Sequence, residues 1–266
     1  MVLNLSLVLL KPPPTLMTYI YIFTYRRDQP DALECVRCAR KTLPHAVITV
    51  VDDGNSPCTE GAETQFLQAG ATHYERSQFN RRGNLNGPEC VRGILSYLAQ
   101  KAEDEDIVIK LDSDTCLLSA DWIEDMLAQG KSMAGCSSRY TAWKDIYYIH
   151  GTCYAMTGKL AKQAFQKSLS WTDWSETAPE DLEIYRLAST IVGEENILKE
   201  FPWTPSTPSA RWTAWNWMSF TVTPEKYKHF SVVTFGMIMP SFKPRSLRAL
   251  SMKELRECVY PSDNSM

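Results

Sequence analysis

Asp112, Ser113 and Asp114 follow directly on the apolar run 107–111 (IVIKL), and that position makes their carboxylates available for chemistry. In extended backbone, residues i and i+2 point the same way, so Asp112 and Asp114 can face one hard cation. Mg2+ or Mn2+ held by one or two carboxylates keeps part of its shell for diphosphate oxygens. The competing reading is that the two Asp cap a turn into the next helix. An EF-hand is rejected: counting from Asp112, Cys116, Leu117 and Ile123 stand where an acid or amide, Gly and Glu are required. A second acidic turn, Asp52-Asp53-Gly54-Asn55, closes the apolar run 46–51. Two such turns on one rim suggest a nucleotide diphosphate site. Glu180-Asp181 forms a third acidic pair; after Pro179 it also suits the first turn of a helix, where the helix dipole favours acids.

The elements that must position these groups alternate. TYIYIFT (Thr18–Thr24) reads as a strand, 30–41 as a helix and 46–51 as an uninterrupted apolar strand. A helix over 60–69, a short strand at 72–74, a helix over 89–101 and a strand at 106–111 continue the series. Continuous apolar strands separated by helices predict a parallel sheet covered on both faces, with ligands at the carboxyl ends of the strands. The site is therefore expected in the loops after residues 24, 51 and 111. In the second half, helices are expected over 120–128, 159–167, 179–190 and 247–258, and strands near 131–135 and 229–235. The stretch 201–220, with Trp203, Trp212, Trp215 and Trp217 among prolines, reads as irregular and aromatic-lined.

Bulk chemistry narrows the function classes. The chain has 266 residues, of which 44% are hydrophobic and 22% charged, which excludes disordered and collagenous classes. With 28 Lys and Arg against 31 Asp and Glu, the net charge of −3 gives no global field for holding a nucleic acid. The apolar run 2–10 is broken by Asn4 and Ser6 and followed by Lys11-Pro12-Pro13-Pro14, so neither a transmembrane segment nor a secretory signal is expected there. Peripheral membrane association stays open. Residues 1–16 are expected to be a peripheral extension, and 17–266 a single domain with a nucleotide-binding half (17–115), an acceptor-binding half (116–240) and a basic tail (241–266). Eight dispersed Cys suit free thiols in a reducing cytoplasm. Cys35-x-x-Cys38 has no second pair or nearby His pair for zinc and reads as helix packing.

Four segments, VITVVDDGNSP, IVIKLDSDT, HGTCYAMTG and APEDLEIYRLA, occur in the order found in GT-A fold nucleotide-sugar glycosyltransferases. Over about residues 18–190 the chain resembles the inverting family 2 type. The resemblance implies an α/β fold, a GT-A-like three-layer α/β/α sandwich with a mostly parallel central sheet. It implies a Mn2+- or Mg2+-dependent enzyme that moves one sugar from a nucleotide sugar, a UDP-sugar for preference, to an acceptor hydroxyl with inversion. Carried over by position, Thr24, Tyr25, Arg26, Asp52 and Asp53 line the nucleotide pocket, with Asp53 accepting from a ring N–H of the base. Asp112 and Asp114 match the DxD, Asp114 as the direct metal ligand and Asp112 nearer the ribose, with Ser113 between them. Asn84 and Arg92 belong to a nucleotide loop, and Gly151 and Thr152 to a small-residue loop beside the donor sugar. Of Glu180 and Asp181, Asp181 is the better candidate for the catalytic base. His229 is the candidate late metal ligand, and Lys243, Arg245 and Arg248 could close over the diphosphate. Arg211-Trp212 matches the end of the QxxRW element of processive synthases, but Pro208 stands where Gln belongs, which favours single transfer. The alternatives are a sugar-phosphate nucleotidyltransferase, which should carry a Gly-rich basic loop after the first strand, and a non-catalytic sugar-nucleotide or glycan-binding protein.

Overall fold

The first strand, β1 (Thr18–Thr24), is β-branched and aromatic, and its pleat sends alternate residues into two separate apolar layers. Ile20 and Ile22 pack into one layer and Tyr21 and Phe23 into the other. The computed structural model describes residues 16–80, 87–140, 146–175, 178–214, 224–236 and 246–261. Within them, α1 (Gln29–Thr42), β2 (Val47–Asp52), α2 (Ala62–Ala69), β3 (His73–Arg76), α3 (Pro88–Gln100) and β4 (Ile107–Asp112) form the expected alternation. Then follow β5 (Thr115–Leu117), α4 (Asp121–Ala128), β6 (Met133–Tyr140), β7 (Ile146–Thr157), α5 (Gly158–Ser170) and α6 (Glu180–Val192). The remainder comprises β8 (Ile197–Glu200), β9 (Trp212–Ala214), β10 (Val232–Thr234) and α7 (Ser246–Val259).

The main sheet has the order β3-β2-β1-β4-β7-β6-β8. Its strands run parallel except β7, which is antiparallel to both β4 and β6. One apolar layer lies under α1, α2, α4 and α7, the other under α3, α5 and α6, which makes three layers around the sheet. In-register pairing of Thr24 with Asp52 and of Phe23 with Asp112 brings the carboxyl ends of β1, β2 and β4 to one edge. A small second sheet, β5-β10-β9, hangs from the chain just after that edge.

Sequence periodicity did not reveal β7. Its segment IYYIHGTCYAMT is neither continuously apolar nor cleanly alternating, and its pairing shifts register opposite Gly135 and Ser137. The strand expected over 229–235 is shorter, Val232–Thr234, and Pro179 stands one position before the first turn of α6 rather than in it.

Candidate active site

Lys110 is the residue around which the carboxyl edge is organised. β4 alternates, so Ile107, Ile109 and Leu111 face one layer while Val108 and Lys110 face the layer beneath α6. The Lys110 ammonium is fully buried and uses its donors on three partners. It donates to Asp112 Oδ1 at 2.6 Å, to Glu180 Oε1 at 3.3 Å and to the main-chain carbonyl of Gly151. It also lies 5.9 Å above the Tyr154 ring. The N–H of the same Gly151 donates to Asp181 Oδ2 at 2.6 Å, and Asp181 Oδ1 accepts from Leu182 N–H at 2.8 Å. One lysine and one glycine thus join the end of β4, the middle of β7 and the first turn of α6.

Burial raises the carboxyls of Glu180 and Asp181 above the ordinary carboxylate range. Lys110 pulls both back, Asp112 pushes both up, and the Gly151 N–H lowers Asp181. Raised carboxyls in one cluster are what a proton-accepting site needs near neutral pH. The shift also bears on stability. A carboxyl with a raised folded pKa binds more protons folded than unfolded, so stability falls as pH climbs from the ordinary carboxylate range through the raised value. The non-titrating Glu180→Gln should therefore gain on the wild type in thermal midpoint as pH goes from about 5 to about 8. A midpoint difference independent of pH would contradict this.

Gly151 was expected in a loop and lies instead within β7, where its peptide groups serve charged side chains. A Cβ there would stand 2.8 Å from Glu180 Oε1 and 3.1 Å from Asp181 Oδ2. Gly151→Ala should push both carboxylates off position and lower turnover about 100-fold. Undiminished turnover in the folded variant would contradict the close approach.

Asp114 meets a cation of the chain itself. Arg248, on α7, donates from Nη1 to Asp114 Oδ2 at 2.9 Å, from Nη2 to Asp28 Oδ1 at 2.7 Å and from Nε to Asp31 Oδ2 at 2.7 Å. Burial, with Asp112 next in weight, pushes the Asp114 carboxyl up, and Arg248 holds it down. Ser113 donates to Asp28 Oδ2 at 3.3 Å, which ties the DxD turn to the start of α1. Sequence reasoning passed over Lys110, Asp28 and Asp31. The available signal was Lys110 itself, a charge inside an otherwise continuous apolar strand.

The other expected residues divide. Asp53 sits at the edge, its N–H on Thr24 O at 3.0 Å and its Oδ1 accepting from Asn55 N–H at 3.0 Å. Asp52 is fully buried. Its oxygens accept from Cys58 N–H at 3.0 Å and Tyr74 Oη at 2.5 Å, so its carboxylate is absorbed in fixing the turn. Thr24 is buried, Tyr25 follows it, and Arg26 is tied to Pro57 O at 3.0 Å. Thr152 Oγ1 lies 3.3 Å from His150 Nδ1. Arg92 donates to Ser168 O at 3.0 Å and lies 5.4 Å over the Trp174 ring, so it braces α3 against the end of α5. His229 precedes β10 at the end opposite Asp114: β10 runs antiparallel to β5, and it is Phe235, past its other end, whose N–H donates to Asp114 O. The structure therefore does not bring His229 to the DxD. Trp212 packs edge-to-face on Trp122 in the core, with ring centres 5.2 Å apart. Asn84, Trp215, Trp217, Lys243 and Arg245 lie outside the described residues. Cys35 and Cys38 are buried free thiols.

No protein-family model matches the chain, and no curated protein matches it. Among solved structures, the galactosyltransferase LgtC in complex with donor and acceptor sugar analogues overlays with a TM-score of 0.54 at 11% identity, covering 92% of this chain and 98% of that one. An active-site mutant of LgtC gives 0.52 at 12% identity with the same coverage. The chain therefore has a GT-A-like α/β fold, the architecture its sequence led us to expect.

Proposed function

We propose that the protein is a glycosyltransferase that moves a single sugar from a UDP-sugar to an acceptor hydroxyl, with inversion at the anomeric carbon. The observation that carries this reading is the meeting of Asp112 with the buried Glu180-Asp181 pair through Lys110, next to Asp114 at the carboxyl edge of the sheet. The likeness of the fold to LgtC, a galactosyltransferase, supports the transfer of a sugar. In this reading Asp53 accepts from the base's ring N–H, and Thr24, Tyr25 and Arg26 line the same pocket.

Among the described residues, no three His, Cys, Asp or Glu side chains form a metal-binding group. Asp112 and Asp114 are hard oxygen donors of the kind that Mg2+ and Mn2+ take together with phosphate, but Lys110 holds Asp112 Oδ1 and Arg248 holds Asp114 Oδ2, so a cation completed by the donor's diphosphate would have to share these carboxylates with the two side chains. When bound, that ion offsets the charge growing on the leaving diphosphate. Asp181 takes the proton of the acceptor hydroxyl as its oxygen bonds to the anomeric carbon. The anomeric bond to the diphosphate breaks, and its electron pair leaves with the phosphate. Because the carboxylate acts on the acceptor and forms no bond to the sugar, a single displacement follows, hence inversion. The two backbone bonds to Asp181 aim its oxygens and still leave lone pairs for the proton.

No helix among the described residues is long and apolar enough to cross a membrane. Eight free cysteines support a cytoplasmic setting. A panel of nucleotide sugars, assayed for hydrolysis and transfer with Mn2+, Mg2+ or EDTA, tests the proposal. Turnover of a UDP-sugar that is lost on chelation is expected. Turnover indifferent to chelation would remove the metal, and none with any donor would remove the function.

A further inference from the structure

A lysine in the middle of a central strand needs a reason. Taking an ammonium out of water costs several kcal/mol, and replacing a buried ion pair by an apolar residue of similar volume is often neutral or stabilising. Lys110 lies in β4 between Ile109 and Leu111, with β1 on one side and β7 on the other. A methionine would fit the strand. Its ammonium instead has three hydrogen-bond partners, and they come from three different elements: Asp112 at the end of β4, the Gly151 carbonyl on β7 and Glu180 at the start of α6. The Gly151 peptide then passes the constraint on, because its N–H is bonded to Asp181.

We propose that Lys110 is the positioning residue of the transfer reaction: it binds Glu180 as its ion partner, fixes the Gly151 peptide that orients Asp181, and so makes Asp181 rather than Glu180 the carboxylate that receives the acceptor's proton. This rests on the glycosyltransferase reading and assigns separate roles within its acidic pair. Glu180, at 3.3 Å, shares the lysine with Asp112, the nearer carboxylate at 2.6 Å. Among the described residues Asp181 has no direct bond to a cation, and both its oxygens are aimed by main-chain N–H groups. The same ammonium holds Asp112, so the distance between the donor-side carboxylate and the base is set by one side chain.

The test uses the full chain, with UDP-galactose and UDP-glucose hydrolysis as the turnover probe and UDP titration as the binding probe. Lys110→Met alone leaves Glu180 buried, and Asp112 half-buried, without their cation and can fail to fold, so the informative variant is the charge-balanced Lys110→Met/Glu180→Gln. It should fold and bind UDP within about threefold of wild type, while kcat falls about 100-fold through loss of alignment. Glu180→Gln alone, which keeps an acceptor for Lys110, should stay within about tenfold of wild type, against the 100- to 10,000-fold that loss of a general base brings. Wild-type turnover in the double variant would make Lys110 a mere space-filling charge and overturn the proposal. So would UDP affinity falling in step with kcat, which would place Lys110 in donor binding. A Glu180→Gln defect as deep as that of Asp181→Asn would overturn the division of roles. Failure of the underlying reading looks different: neither donor is hydrolysed by the wild type, or Asp181→Asn is fully active.

Discussion

Asp181→Asn should bind UDP as the wild type does and lose about 100- to 10,000-fold in transfer, the range that removal of a positioned general base produces. Asparagine preserves the shape of the side chain, and its carbonyl oxygen can still accept from the Gly151 N–H that now meets Asp181 Oδ2 at 2.6 Å. The Leu182 N–H, which Asp181 Oδ1 accepts at 2.8 Å, then faces the amide NH2, so the thermal midpoint of the variant is measured alongside; what disappears from the site is a basic oxygen. The comparison is read from kcat at saturating donor, with UDP affinity measured separately. An active Asp181→Asn would remove the base from α6 and with it the single-displacement mechanism.

Arg248→Gln should be the most damaging single change to stability outside the hydrophobic layers. The guanidinium binds Asp28, Asp31 and Asp114 together, and its side chain is only 11% exposed. Removing one partner of a buried ion pair leaves uncompensated charge at a cost of about 3–5 kcal/mol. For a chain of this size that lowers the thermal midpoint by on the order of 10 °C. Because three carboxylates lose their shared cation, lowering the pH should restore part of the loss by protonating the raised Asp114 carboxyl. A midpoint within a degree or two of wild type would show that the Arg248 contacts carry no stability.

The parts of this arrangement that could be read from sequence are those governed by local rules. β1, β2 and β4 are continuous apolar runs, and a parallel sheet places whatever follows such runs on one edge; Asp53, Asp112 and Asp114 were found that way. What escaped depends on pairing between distant segments. β7 was missed because it passes through the site, where Gly151 gives its peptide groups to Lys110 and Asp181 and its flanking residues are mixed in polarity. Arg248 was expected to close over the diphosphate and is instead bound to Asp28, Asp31 and Asp114, a contact across 134 positions of sequence in the case of Asp114. Asp52 and Asp53 are indistinguishable as text. The pleat turns the Asp52 side chain toward Cys58 and Tyr74, while Asp53 stays with the edge loop. His229 was a candidate ligand through the resemblance, which implies a late His, and the antiparallel sense of β10 puts it at the end away from the DxD.

In the proposed reaction Asp112 and Asp114 face the diphosphate of a nucleotide donor. Calorimetric titration of UDP in Mn2+ into the wild type and into Asp114→Ala tests it most directly. Saturable binding by the wild type is expected, with affinity at least about tenfold weaker in the variant, the loss of one charge-assisted contact. Equal affinity in the two proteins would contradict it.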